Sequence, residues 1–395
     1  MLRPGTFAMT ALLAALTGLG PLTVDMYLAS MPDISRKLAA PAAQVQLTIS
    51  FYLVGYALGQ MFYGPLSDRH GRRPVMLVAL AIYALASLAC ALASSIELLI
   101  VARFCQAIGG AGTIVLARAV VRDLYEGARV GRELSLMASI MALAPIAAPL
   151  FGGVLQTVFG WRSNFILLLI FGLGAAATVW LLFPETLRQR APEPVSPVST
   201  FRSYRNFLRH KGFVAYLGMS TCAFLGLFSW ISTAAFVLQD IYGLSPLVFG
   251  VTFAVGSAGY LVGTTIAARV VVHWGIDRTI GVGCLGMAGG GIAMVLVLAL
   301  GVSWPTALVL AMGLYLAGMG MVLPQAQAGA LLPFPQRAGA ASSLLGLVQQ
   351  TSAAALGAIL GHLLDNTAWP LAISVAVVGA LALAVWALTR RIRQY

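Results

Sequence analysis

The stretch Gly64-Pro65-Leu66-Ser67-Asp68-Arg69-His70-Gly71-Arg72-Arg73-Pro74 decides the fold. Asp68, Arg69, Arg72 and Arg73 crowd together in a chain that is only 9% charged. Long apolar segments flank them on both sides. Gly64 and Gly71 give the backbone the freedom a tight turn needs, and Pro74 suits the first turn of a new helix. A cationic turn between two membrane-length segments belongs on the cytoplasmic side, because Lys and Arg in short loops set orientation.

Composition extends that reading to the whole chain. Its 395 residues are 60% hydrophobic, with a mean hydropathy of +0.91. A soluble domain is about half apolar and about a quarter charged. Twelve spans of ~20 residues, joined by short loops, use up this length. The net charge is +12, which by itself would suit nucleic acid. Its placement excludes that partner: of the 24 Lys and Arg, all but Arg36, Lys37, Arg103 and Arg162 fall at one side of the predicted spans. Both termini are then cytoplasmic. Cys90, Cys105, Cys222 and Cys284 lie within apolar spans, at spacings that fit neither a metal site nor a disulfide framework. The first apolar run continues past Asp25, so it reads as a span rather than a cleaved signal.

The pattern predicts an all-α integral membrane protein with 12 transmembrane helices in two pseudo-symmetric six-helix bundles. The first bundle is residues 1–184, with spans near 7–30, 44–64, 74–93, 96–121, 133–158 and 163–183. A cytoplasmic linker, 185–212, holds Pro192, Pro194 and Pro197 with Arg188, Arg190, Arg202, Arg205, Arg209 and Lys211. A solvated linker is its simplest reading; a short surface helix at its Arg-rich end is the other. The second bundle is residues 213–395, with spans near 213–238, 246–268, 279–300, 304–325, 338–361 and 368–388. Gly55, Gly59 and Gly71 recur at an offset of 204 as Gly259, Gly263 and Gly275. The second turn, His273-Trp274-Gly275-Ile276-Asp277-Arg278, is a worn version of the first.

Few residues carry chemistry. Asp25 lies inside the first span, and a charge there costs at least ~2.5 kcal/mol, so it marks function rather than packing. The bland alternative is a structural carboxylate, paired or protonated. Arg103 is its natural counterpart, since both sit roughly 7–11 Å below the outer surface at ~1.5 Å per residue. Arginine does not deprotonate, so Asp25 would carry the proton and Arg103 would tune or anchor it. Pro145, Pro149, Gly152 and Gly153 read as a hinge and seal in the fifth span. Asp68, Arg72 and Asp123 would form a charge cluster at the inner ends, against the plainer reading of positive-inside charge alone. Candidate substrate contacts are Tyr52, Tyr56, Gln106, Met137, Met141, Phe224 and Trp230, because aromatic and Met surfaces accept varied apolar ligands. Such stripes also serve plain packing. Without a Gly-Lys-Ser/Thr loop, a metal-spaced ligand set or a nucleophile beside a base, no cofactor, metal or enzyme activity is expected.

The opening turn fills every position of the G-x-L-x-D-R-x-G-R-R signature of the major facilitator superfamily, with Gly64, Leu66, Asp68, Arg69, Gly71, Arg72 and Arg73. Arg103-Phe104-Cys105-Gln106 resembles that family's R-x-x-Q-G, with Ala107 in place of the glycine. Pro149, Gly152 and Gly153 match the fifth-helix signature of its antiporter branch, with Ala148 where a glycine is usual. Asp25-Met26-Tyr27-Leu28, Gly160-Trp161-Arg162, Pro184-Glu185-Thr186-Leu187, Tyr242-Gly243-Leu244-Ser245-Pro246 and Ala340 to Gly346 resemble the Bcr/CflA drug-resistance exporters. The resemblance implies a proton-coupled multidrug efflux antiporter of a bacterial inner membrane, exporting small amphipathic compounds such as phenicols or bicyclomycin by alternating access. It implies a proton-coupling role for Arg103 and a latch at the charge cluster. The expected partners are a small-molecule substrate, protons and the lipid bilayer, with a monomer at work and the proton gradient in place of a cofactor. A proton-coupled exporter of a natural metabolite, such as a nucleoside, sugar or amino-acid derivative, is the runner-up. A membrane enzyme or channel is the third reading.

Overall fold

The computed structural model describes residues 6–125, 128–187, 204–334, 337–364 and 367–393, with the side chains of 128, 131, 135, 138–142 and 338 also outside that set. The first helices are α1 Phe7–Leu28, α2 Met31–Lys37, α3 Ala42–His70, α4 Arg72–Leu92, α5 Ile96–Leu124, α6 Ala128–Phe159 and α7 Arg162–Leu182. A short helix, α8, covers 204–209. It is followed by α9 Lys211–Phe236, α10 Pro246–Ala299, α11 Pro305–Leu331, α12 Ala338–Leu363 and α13 Trp369–Leu388. Among the described residues there is no strand. In hydrocarbon a backbone must satisfy its own hydrogen bonds, and the helix does so within one segment. Local signals start the helices: the side chains of Thr6, Ser95, Ser245 and His210 accept N–H groups of the first turns of α1, α5, α10 and α9.

Ten described helices are long and apolar enough to cross a membrane. One of them, α10, is two spans joined at Gly275, whose φ of 74° no ordinary helix accepts. The apolar stretch Leu143–Phe159 of α6 adds another, which makes twelve. Exposed Leu85, Val101, Phe159 and Leu181 give these helices an apolar outer surface.

The chain divides into two units, Met1–Val195 and Ser196–Tyr395. Helices begin at Phe7 and Lys211, and at Ala42 and Pro246, and left-handed glycines stand at Gly71 and Gly275, each pair at the 204-residue offset. The end of each unit that bears this glycine is its turn end. In the first unit α3 crosses α5 at Gly55 and Gly59, where an added Cβ would strike Phe104 O and Ala111. In the second, α10 crosses α11 at Gly259 and Gly263, where it would strike the backbone of Gly313 and Ala317. Membrane helices gain little from apolar burial against each other, so close backbone approach at small residues holds them.

Two expectations change. The first span ends at Leu28 rather than near residue 30, because Pro32 opens the separate helix α2; Asp25 therefore sits in the last turn of α1. The Arg-rich end of the linker is helix α8, not solvated chain. Its Phe207 is buried against Phe213 and Phe334, at ring-centroid distances of 5.7 and 4.8 Å. The prolines Pro192, Pro194 and Pro197, with Arg188, Arg190 and Arg202, lie outside the described residues.

Candidate functional site

Arg103 lies on α5 and is fully buried. Its guanidinium rests in an aromatic cage, 4.4 Å from the ring of Tyr52, 4.7 Å from Tyr27 and 5.8 Å from Phe165. Nη1 donates to the carbonyl of Thr23 at 3.2 Å and to Oε1 of Gln106 at 2.8 Å. Nε and Nη2 have no hydrogen-bond partner among the described residues. A second layer fixes the first. Gln106 Nε2 donates to Ser87 Oγ at 2.8 Å, and Ser87 donates to the Tyr83 carbonyl at 2.7 Å. Thr23 donates to the Leu19 carbonyl, which leaves the Tyr83 hydroxyl to donate to Thr23 at 2.6 Å. Thr48 likewise bonds the Val45 carbonyl, so the Tyr27 hydroxyl donates to Thr48 at 2.8 Å.

Asp25 is not among these partners of Arg103. Asp25 makes no ion pair or hydrogen bond among the described residues, although it is only 5% exposed. Helical geometry explains the separation. Thr23 and Tyr27 are four residues apart and share the face of α1 that meets Arg103, while Asp25, two residues from each, points the other way. Next to it, α6 presses against α1: a Cβ on Gly152 would strike the Met26 carbonyl. Desolvated cation–π contacts are worth about 2 kcal/mol, and they take up part of what a carboxylate would supply. Asp25 is left as a carboxylate without a fixed partner.

The remaining candidates divide. Tyr52 belongs to the cage and stacks on Tyr56, with centroids 6.0 Å apart. Gln106 has both ends engaged within the first unit, so it braces Arg103 and is not free for a substrate. Trp230 is fully buried and stacks on Phe253, 5.9 Å away. Phe224 is partly open and lies 4.8 Å from Phe228. Met137 is buried, and the side chain of Met141 lies outside the described residues. The helix α6 runs through both Pro145 and Pro149. Of the hinge glycines, Gly152 serves close packing on α1.

At the turn end of the first unit the cluster forms. Arg72 Nε donates to Asp123 Oδ2 at 2.8 Å, and Nη1 to Ser67 Oγ and Asp68 Oδ1 at 2.6 and 2.5 Å. Arg69, on the last turn of α3, makes no ion pair among the described residues, and Arg73 donates to the Trp180 carbonyl. Glu185, just past α7, caps α4: its carboxylate accepts the N–H groups of Arg72 and Arg73 at 2.9 and 3.1 Å. A carboxylate at a helix N-terminus meets orphan donors and the positive end of the dipole. Gly71, at φ 103°, passes so close to Glu185 that a Cβ would strike the carboxylate. Gly64 has open space around it. Sequence reasoning gave no role to Tyr27, Tyr83, Ser87, Phe165 or Glu185. Tyr27 and Glu185 stood inside recognised motifs, but their partners are tens of residues away.

A family model described as Major Facilitator Superfamily matches residues 13–358. The chain belongs to that superfamily. It is 35% identical, over 95% of its length and 94% of the relative's, to an uncharacterized transporter of the superfamily, YdgK, of Bacillus subtilis. It is 30% identical to the bicyclomycin resistance protein homolog of Haemophilus influenzae, over 98% of both chains. It is also 30% identical to multidrug resistance protein D of Escherichia coli, over 98% of this chain and 96% of the other. Among solved structures, a bacterial homolog of the human lysosomal transporter Spinster superposes with a TM-score of 0.79. It covers 99% of this chain and 98% of its own at 18% identity, which speaks for the fold alone. The superfamily's transporter architecture thus accounts for both units, and the chain is a multi-pass membrane transporter of small molecules.

Proposed function

We propose that this transporter is a proton-coupled multidrug efflux antiporter of a bacterial inner membrane, with both termini cytoplasmic. It would export small amphipathic compounds of the phenicol or bicyclomycin kind, working as a monomer, without enzymatic chemistry or a cofactor, on the proton gradient. The observation that carries the reading is the buried carboxylate of Asp25, unpaired while the nearby Arg103 is engaged elsewhere. An ionisable group kept at membrane depth without a structural partner is available for exchange.

In this reading Asp25 binds a proton from the outside, and the neutral side chain releases its hold on substrate. Substrate arriving from the cytoplasm displaces the proton, and the cycle returns. Arg103 supplies a fixed positive charge behind α1 rather than a direct partner. The Arg72–Asp68–Asp123 cluster latches the cytoplasmic ends, and the fifth span, through Pro145, Pro149, Gly152 and Gly153, flexes as the units exchange access. Tyr56, Phe224, Met137 and Met141 remain the candidates for substrate contact.

The test is proton release by purified protein in proteoliposomes on adding phenicols, bicyclomycin, sulfonamides and nucleosides, wild type against Asp25→Asn. A compound-induced proton signal that Asp25→Asn lacks supports the reading and begins to name the substrate. An undiminished signal in Asp25→Asn moves the proton site elsewhere. A signal from nucleosides alone turns the reading toward metabolite export.

A further inference from the structure

The second unit lacks the first unit's cluster at its turn end. At the 204-residue offset Val272 stands for Asp68 and Ile276 for Arg72. Asp277, at the place of Arg73, is the acidic residue of the turn at Gly275. Its partner comes from beyond the last span. After α13 comes a single 3-10 turn, Arg390–Ile392, and the side chain of Arg393 beyond it reaches into the unit. Its neighbours Arg390 and Arg391 are exposed, whereas the Arg393 side chain is 0% exposed.

Three helices converge on that guanidinium. Nη2 lies 2.8 Å from Asp277 Oδ1 and donates to the Trp386 carbonyl of α13 at 2.7 Å. The contact with Asp277 is ionic, off the N–H direction. Nη1 reaches Met219 Sδ of α9 at 3.1 Å. Trp386 closes the ring by donating Nε1 to the Asp277 carbonyl at 3.1 Å, and its indole fills the space above Gly281.

Burying a guanidinium costs several kcal/mol, and an apolar side chain of that size would fill the space more cheaply. What leucine would not supply is direction. One planar group with fixed donors sets α9, α10 and α13 in register. We propose that Arg393 is the charge anchor of the second unit's turn end, holding the place that Arg72 holds in the first. The turn's own Arg278 lies over Trp274 instead, 5.6 Å from its ring, so the anchor makes the Gly275 turn of α10 depend on a residue past the last span.

Native cysteines report on it. Cys284 is buried on α10, seven residues past Asp277, and Cys222 lies three residues past Met219 on α9. Cys90, buried in the first unit, is the internal reference. N-ethylmaleimide labelling of full-length protein in phosphatidylethanolamine–phosphatidylglycerol proteoliposomes, read site by site by mass spectrometry, follows local opening. Asp277→Asn and Arg393→Gln are each expected to speed Cys284 labelling about tenfold with Cys90 unchanged, a local rather than global opening. The double variant is expected to label no faster than either single, because both remove one interaction. Cys284 labelling at the wild-type rate in Asp277→Asn, or additive effects in the double, would overturn the anchor. If Cys90 also labels in Arg393→Gln, the protein has unfolded globally, and Arg393→Lys takes its place in the cycle.

Discussion

The two units share a plan and differ in charge. Their first helices start at the same 204-residue offset, and both cross a neighbour at paired glycines. Yet α11 carries no charged residue from Pro305 to Leu331, whereas α5 buries Arg103. Asp25 corresponds at that offset to Ser229, whose hydroxyl simply bonds the Ser374 hydroxyl at 2.7 Å. The second unit packs on glycine contacts, a buried apolar cluster around Phe207 and Phe213, and a hydroxyl pair. The six-helix plan therefore does not need intramembrane charge, which supports the proposal that the charge in the first unit is there for work. Its cost, about 2.5 kcal/mol or more per charge at membrane depth, is what the second unit avoids.

That contrast is open to direct attack. The largest effect is expected from Asp25→Asn, which should abolish compound-driven proton release, while Ser229→Ala should leave transport within about twofold, as for an ordinary substitution. Equal losses in both would break the assignment of chemistry to the first unit. Next comes Arg72→Gln. It leaves Asp123, only 18% exposed, with the Thr186 hydroxyl in place of a cation, and should lower stability by about 3 kcal/mol, seen as a lower melting temperature in detergent. Ile276→Gln, its counterpart, should cost no more than about 0.5 kcal/mol. Glycine substitutions probe what the units have in common. Gly59→Ala and Gly263→Ala each force a Cβ into a facing helix and should cost about 1–3 kcal/mol by overpacking, alike in both units. A clear inequality would mean that one crossing is looser than its partner. Apart from the control substitutions, the smallest effect is expected from Glu185→Ala, which removes the α4 cap and should cost about 1 kcal/mol, with a thermal melt as the check.

Much of the fold was legible in the residues. Span count, the two-unit plan and the broken α10 follow from apolar length, the repeated glycines and the turn at Gly275. The charge cluster was legible in part: Arg72, Asp68 and Asp123 were visible as charges at helix ends, but Glu185 was not, because its cap contact spans more than a hundred residues. Arg103 was visible as a buried cation, but the residues around it were not. Matching depth suggested Asp25 as its partner, and depth says nothing about which way a side chain faces around the helix axis. Gln106 and Trp230 were offered as substrate contacts because polar and aromatic residues in spans have that use. The tertiary structure adds what no segment shows: Gln106 bonds Ser87 and Arg103, and Trp230 stacks on Phe253.

The sequence by itself determined what a bilayer dictates locally: apolar length sets the spans, basic turns set the expected orientation, and glycine spacing sets where helices approach. Those rules act within a single segment, so they can be read along the chain. Only the tertiary structure decided who meets whom. It put Arg103 among Tyr27, Tyr52 and Phe165 rather than on Asp25, brought Glu185 to the start of α4, and returned Arg393 to Asp277. The physical reason is that these contacts depend on the rotation of each helix about its axis, which packing against neighbours fixes and no single segment encodes.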